Sequence, residues 1–246
     1  MKRKEDKFMQ NKSGTVRAAG IIALLFFVTT VAWNLLRQLA LGWISSDPQQ
    51  AAADMQAIVA NQGQYLGFVS VDILCNLGIF ALGALFYLIF RSFNRSLALF
   101  GGLGFMAAGI VWLILDMPGL AQYKLALDYS ASSGAAASAI AQRGADLSLW
   151  GNYSFAIASI LIAIGLLSFG LVIIRSIAIN RLLGWLAIIA GILMLVSLVN
   201  TFSESAPVTH IAYYVTEVWA LVTGIWLILR GVKNSEGEPL TTAAKS

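Results

Sequence analysis

The side chains able to do chemistry in this sequence are few, and most sit inside apolar runs: Glu217, Asp72, Asn76, Arg37, Asn34, Tyr214, His210 and Asp116. The three carboxylates can hold a proton or a cation, and Arg37 can supply the counter-charge. Asn34, Asn76 and Tyr214 can offer hydrogen bonds, and His210 is the only histidine. A single histidine is too few for an intramembrane zinc hydrolase, which needs several nitrogen or carboxylate ligands, and it excludes a bis-histidine haem within one chain. The single cysteine, Cys75, cannot form an internal disulfide or a CxxC redox pair. No nucleophile elbow or phosphate-cradling glycine motif stands in a strand-turn-helix context. No catalytic residue, metal or cofactor is therefore assigned, and these residues point to binding rather than to an enzyme.

Long apolar elements must position them. The chain is 59% hydrophobic and 11% charged, against roughly 25% charged for a soluble domain. Six runs are long enough for a hydrocarbon core of about 30 Å, which takes about 20 helical residues. They cover 18–40, 65–90, 96–116, 150–174, 182–201 and 209–229. Unpaired backbone is not tolerated in lipid, and alternating ten-residue strands are absent, so the expected fold is all-α: a polytopic bundle of six transmembrane helices. It spans 18–230, between a basic tail (1–17) and a disordered polar tail (231–246). The first apolar run is too long for a signal peptide and has no convincing cleavage site.

Basic residues set the orientation. Lys2, Arg3, Lys4, Lys7, Lys12, Arg17, Arg91, Arg95, Arg175, Arg181, Arg230, Lys233 and Lys245 fall on one side, leaving Arg37, Lys124 and Arg143 on the other. Both termini are then cytoplasmic, in a bacterial inner membrane whose anionic leaflet holds the basic ends. The bilayer is the expected partner, with a small ligand or a partner membrane protein besides, and nucleic acid is not needed to explain the positive charge. The turns "FRSFNR" and "IRSIAINR" follow one plan, which suggests a repeated hairpin. Short extracytoplasmic helices are expected in the two long outer loops. One covers 48–62, with Asp47 as N-cap and Pro48 in the first turn; the other loop, 117–148, opens with Pro118-Gly119.

Counting about 1.5 Å per residue from the basic ends gives depth. Asn34 comes about 25 Å from Arg17, Asn76 and Asp72 about 22 and 28 Å from Arg91, Asp116 about 31 Å from Arg95, and Glu217 about 20 Å from Arg230. The polar groups share an outer layer, and Glu217 is the deepest carboxylate. Helical spacing places Thr30, Asn34, Arg37 and Gln38 on one stripe, Ser197, Asn200, Thr201 and Glu204 on a second, and His210, Tyr213, Tyr214 and Glu217 on a third. The last continues through Ala220 and Gly224, small residues that permit close helix packing. Trp33, Trp43, Trp150 and Trp219 read as an interfacial belt. The expected function is an outward-facing polar pocket for a small ligand, lipid head group, cation or partner protein, with Arg37 paired to Glu217 or Asp72. The alternatives are a proton-coupled secondary transporter using Glu217 and an accessory subunit of a membrane complex.

The segments "YLGFVSVDILCNLGIFALGALFYLIFRSFNRSLALFGGL", "RLLGWLAIIAGILMLV" and "TEVWALVTGIWLILRGVK" resemble the bacterial polytopic family called domain of unknown function 4386. The order of features is similar as well: an acid early in the second span, a basic turn, a leucine-glycine opening of the fifth span and an acid in the sixth. Members of that family tend to carry His-Gly-Tyr-Gly at the start of the fourth span and Pro-Arg before the fifth. This chain has "LWGNYSF" and Asn180-Arg181 there, so a role resting on that histidine has no counterpart in it. The resemblance implies six spans and no established activity.

Overall fold

The computed structural model describes the backbone of residues 2–40, 44–176, 179–201 and 207–232, with side chains for 13–36, 44–176, 179–198 and 211–232. The described residues form α1 (Lys2–Ala40), α2 (Pro48–Ala60), α3 (Gln62–Phe90), α4 (Arg95–Ser130), α5 (Gly134–Arg175), α6 (Arg181–Thr201) and α7 (Pro207–Leu229), with no strand among them. Six of these contain stretches long and apolar enough to cross a membrane: Ser13–Leu36, Gln62–Phe90, Arg95–Ser130, Gly134–Arg175, Arg181–Leu198 and Ile211–Leu229. This is a multi-pass membrane protein. The basic segment before the first span continues α1 rather than forming a separate tail, while residues 233–246 lie outside the described part.

The chain divides into two compact units, and four of the helices contribute to both. One comprises Val28–Leu77 and Ile110–Ala158, and will be called the acidic unit. Its short helix α2 starts as the sequence indicates: Asp47 Oδ1 accepts from Gln49 N at 3.0 Å, and Pro48 occupies the first turn, where its missing N–H costs nothing. Its inner face is Ala51, Asp54, Met55 and Ile58, one stripe at helical spacing. These apolar residues pack with Ile44, Tyr65, Phe68, Val69, Ala126 and Ala145, and Trp33 and Tyr123 close the edges. Asp54 is buried yet satisfied, accepting from Ser45 N at 2.7 Å and Gln50 Nε2 at 3.0 Å.

The second long loop does not form separate short helices. Instead α4 runs through Pro118 to Ser130, and α5 begins at Gly134, whose φ of +56° is a conformation that favours glycine. A proline within a helix costs about 3 kcal/mol. What lies beyond Pro118 offsets that cost. Tyr65 Oη donates to Gly119 O at 3.0 Å, Gln122 Nε2 donates to Ser148 Oγ at 2.9 Å, and Ser148 Oγ donates to Ile44 O. Tyr65, Gln122 and Ser148 are all buried. Leaving any of these polar groups unpaired would cost about 1–3 kcal/mol.

The other unit comprises Met1–Phe27, Gly78–Gly109 and Ser159–Ser246, and will be called the arginine unit. Its centre is aromatic. Phe86, Phe90, Phe105, Phe169 and Trp219 meet with ring centroids 5.4–6.1 Å apart, several of them edge to face. That geometry lets a positive ring edge meet a negative face. Trp219 is 1% exposed and its Nε1 donates to Leu183 O at 3.1 Å, so it is a core residue and not part of an interfacial belt. Trp33 is half-buried against Phe68, while Trp150 is exposed; Trp43 lies outside the described residues.

The two turns of this unit share their chemistry as well as their sequence plan. Ser92 Oγ donates to Ile89 O and Ser176 Oγ donates to Ile173 O, closing α3 and α5. Asn94 Oδ1 then accepts from Leu97 N, and Asn180 Oδ1 from Leu182 N, capping α4 and α6. In each hairpin the helices cross at a glycine: a Cβ on Gly83 would lie 2.8 Å from Gly102 O, and one on Gly170 would lie 2.8 Å from Gly184 O. No side chain fits at either place, which is the small-residue packing that membrane helices use.

Candidate functional site

Within the acidic unit, α3 and α4 bring two of the sequence-selected acids together. Asp116 is 2% exposed. Asn76 Nδ2 donates to Asp116 Oδ2 at 3.1 Å, and the Asp72 side chain hydrogen-bonds to the same carboxyl. Asp72 and Asn76 are four residues apart on α3 and so share a face, which is why both can address one residue of α4. A hydrogen bond between two carboxyls exists only while one of them carries a proton. With both ionised, Asn76 is the one described donor to Asp116, and Asp116 Oδ1 is buried without a partner.

The neighbouring turn of α3 carries Cys75, buried as a small residue, with Sγ 3.9 Å from Thr30 Oγ1 of α1. Asn34 Nδ2 donates to Thr30 O at 3.1 Å, so part of its capacity goes to its own helix. Trp112, one turn before Asp116, is buried. Neighbouring residues of α3 thus make two polar contacts in the acidic unit, Cys75 with Thr30 and Asn76 with Asp116.

Glu217 belongs to the arginine unit, on α7, and is 5% exposed. One turn earlier, the Tyr213 hydroxyl and Ser159 Oγ lie 3.3 Å apart. Thr216, Ala220 and Gly224 are buried on the same side of the helix. Tyr214 is not on that side. It is 49% exposed, in line with exposed Ile211 and Val218, because it is rotated about 100° from Tyr213. Its expected place beside Glu217 is therefore taken by Tyr213. The side chains of Arg37, Asn200, Glu204 and His210 lie outside the described residues, so neither the expected Arg37 pairing nor His210 enters the geometry.

Spacing arguments did not single out the Tyr65–Gln122–Ser148 chain, nor the partnering of Asp116 with Asp72. The available signal was depth, since Asp72 and Asp116 count to nearly the same height. Among the described residues, no three His, Cys, Asp or Glu side chains converge as a metal site. Two carboxyls and an amide meet at Asp116 instead.

A family model described as domain of unknown function (DUF4386) matches residues 18–231. No curated protein and no solved structure matches the chain.

Proposed function

We propose that this chain, which belongs to the DUF4386 family, binds a small singly charged cation, either an alkali ion or the ammonium of a small amine, in an outward-facing polar pocket at Asp72 and Asp116. The observation carrying this reading is Asp116 Oδ1, an oxygen of a 2% exposed carboxyl that no described donor reaches. An ionised carboxylate out of water is costly unless it is paired, and the neighbouring Asp72 adds charge of the same sign. A cation at Asp116 Oδ1 satisfies that oxygen and offsets the combined charge. Asn76 holds Oδ2 in place so that Oδ1 faces the ligand.

The arginine-bearing helix ends support a bacterial inner-membrane location with both termini in the cytoplasm, which would place the carboxylates toward the outside. In the test, the melting temperature of the purified protein is followed in sodium, potassium, tetramethylammonium and N-methylglucamine chlorides at equal ionic strength. A ligand at a hundred times its Kd contributes about 2.7 kcal/mol, or a rise of roughly 5–10 °C for a chain this size. The rise should appear with a small cation, be absent with N-methylglucamine and vanish in Asp116→Asn. Equal melting in all four salts sinks the proposal.

A second reading draws on the burial of Glu217 and on the Tyr213–Ser159 pair one turn away. Glu217 would then be the proton-exchanging group of a secondary transporter. Uptake driven by a pH gradient in vesicles, abolished by Glu217→Gln, would favour it over simple binding.

A further inference from the structure

Among the described residues, the arginine unit ends in a set of cations with no acid beside them. Arg91 follows α3, Arg95 opens α4, Arg175 closes α5, Arg181 opens α6 and Arg230 follows α7; all are exposed. Packing shows that these ends belong together. A Cβ on Gly101 would touch the Phe169 ring, and Arg95 and Arg175 each lie six residues beyond that level, on antiparallel helices. A Cβ on Gly20 would lie 3.0 Å from Gly224 O, while Gly224 itself faces Ala23 and Leu24. The helices α1 and α7 therefore run antiparallel there, which brings exposed Arg17 to the end that carries Arg230. Glu217 is the only acid whose side chain is described in this unit, and it is buried more than three turns of α7 from Arg230. The one ion pair among the described residues, Lys124–Asp128, belongs to the other unit.

Three further features specify what this end fits. Each Arg-Ser…Asn-Arg turn feeds the start of a long helix. The asparagine cap satisfies one N–H of the first turn, so the remaining amides and the helix dipole add positive potential. Arg91 lies over the Tyr87 ring at 5.9 Å and Arg230 over the Trp226 ring at 4.9 Å, an aromatic-cation pairing suited to a head-group layer. Next to the arginines stand large apolar side chains with nothing over them: Leu182 (71% exposed), Leu229 (75%) and Phe100 (60%). A nucleic acid or an acidic protein would match the charge but leave that apolar rim in water. A phospholipid matches both.

We propose that the arginine end of this unit is a docking surface for anionic phospholipids. Each of the two turns takes a head-group phosphate on its arginine pair (Arg91 with Arg95, Arg175 with Arg181), and the acyl chains lie along the adjoining apolar side chains. The test places the full chain in nanodiscs of phosphatidylcholine with and without phosphatidylglycerol. Phosphatidylglycerol should raise the melting temperature by about 3 °C, and phosphatidylglycerol should be the lipid retained in native mass spectra. Replacing all four arginines by glutamine should abolish both effects, whereas Arg→Lys at the same four positions should keep most of them. The lysine variant keeps the proposal falsifiable if the glutamine variant does not fold. Equal behaviour in the two lipids overturns the proposal. So does retained preference in the glutamine variant, or a rise reproduced by inorganic phosphate in phosphatidylcholine alone, which would mean a free-anion site.

Discussion

The acidic unit and the arginine unit share four helices, yet they are held together differently. Described carboxylates in the first are Asp47, Asp54, Asp72, Asp116, Asp128 and Asp146; in the second there is only Glu217, against arginines at 17, 91, 95, 175, 181 and 230. The arginine unit coheres through aromatic rings and glycine crossings. The acidic unit has an apolar cluster threaded by hydrogen bonds that Tyr65, Gln122 and Ser148 donate and Asp54 accepts. Polar bonds of that kind require specific geometry, which suits a unit that must hold two carboxyls at a fixed separation. Dispersion between rings does not, and suits a unit whose described arginines all stand at its surface.

The sharpest way to break this contrast is at the centres of the two units. Trp219→Ala should cost about 3–5 kcal/mol, because it empties the space between Phe86 and Phe105 and leaves Leu183 O without its donor. Hydrogen exchange should accelerate within Gly78–Gly109 and Ser159–Leu229 before it does so elsewhere. Tyr65→Phe keeps the ring and removes one hydroxyl. It should cost about 1–2 kcal/mol, with faster exchange confined to the acidic unit around Gly119 and Gln122. If Tyr65→Phe proved as costly as Trp219→Ala, or loosened both units alike, the division of labour would be wrong. At the small end, Lys124→Ala removes an exposed ion pair with Asp128. Melting should not change measurably, since solvent and salt screen such a pair.

The comparison also shows how far spacing carries. The start of α2 was legible because Asp47-Pro48 is a local signal: a side-chain acceptor followed by a residue with no N–H to satisfy. Pro118-Gly119 looks equally local and misleads. There the loss at one proline is outweighed by contacts from Tyr65, far away in sequence, which no local pattern contains. Tyr213 and Tyr214 both suit a helical stripe with Glu217 when read from spacing. Ser159, on another helix, lies against Tyr213 and so leaves Tyr214 exposed. Height alone suits Trp219 to an interface, yet it is core, because depth along a helix says nothing about which side faces a neighbour.

By itself, the sequence determined that six apolar stretches cross a membrane, since their length must match the hydrocarbon thickness and lipid offers no partner to open backbone. It also determined the arginine-marked ends, because basic residues bound the apolar stretches. Which helices stand side by side was decided only in three dimensions. That choice depends on where glycines let backbones touch and where rings interlock, and it is what sets Asp72 and Asn76 against Asp116.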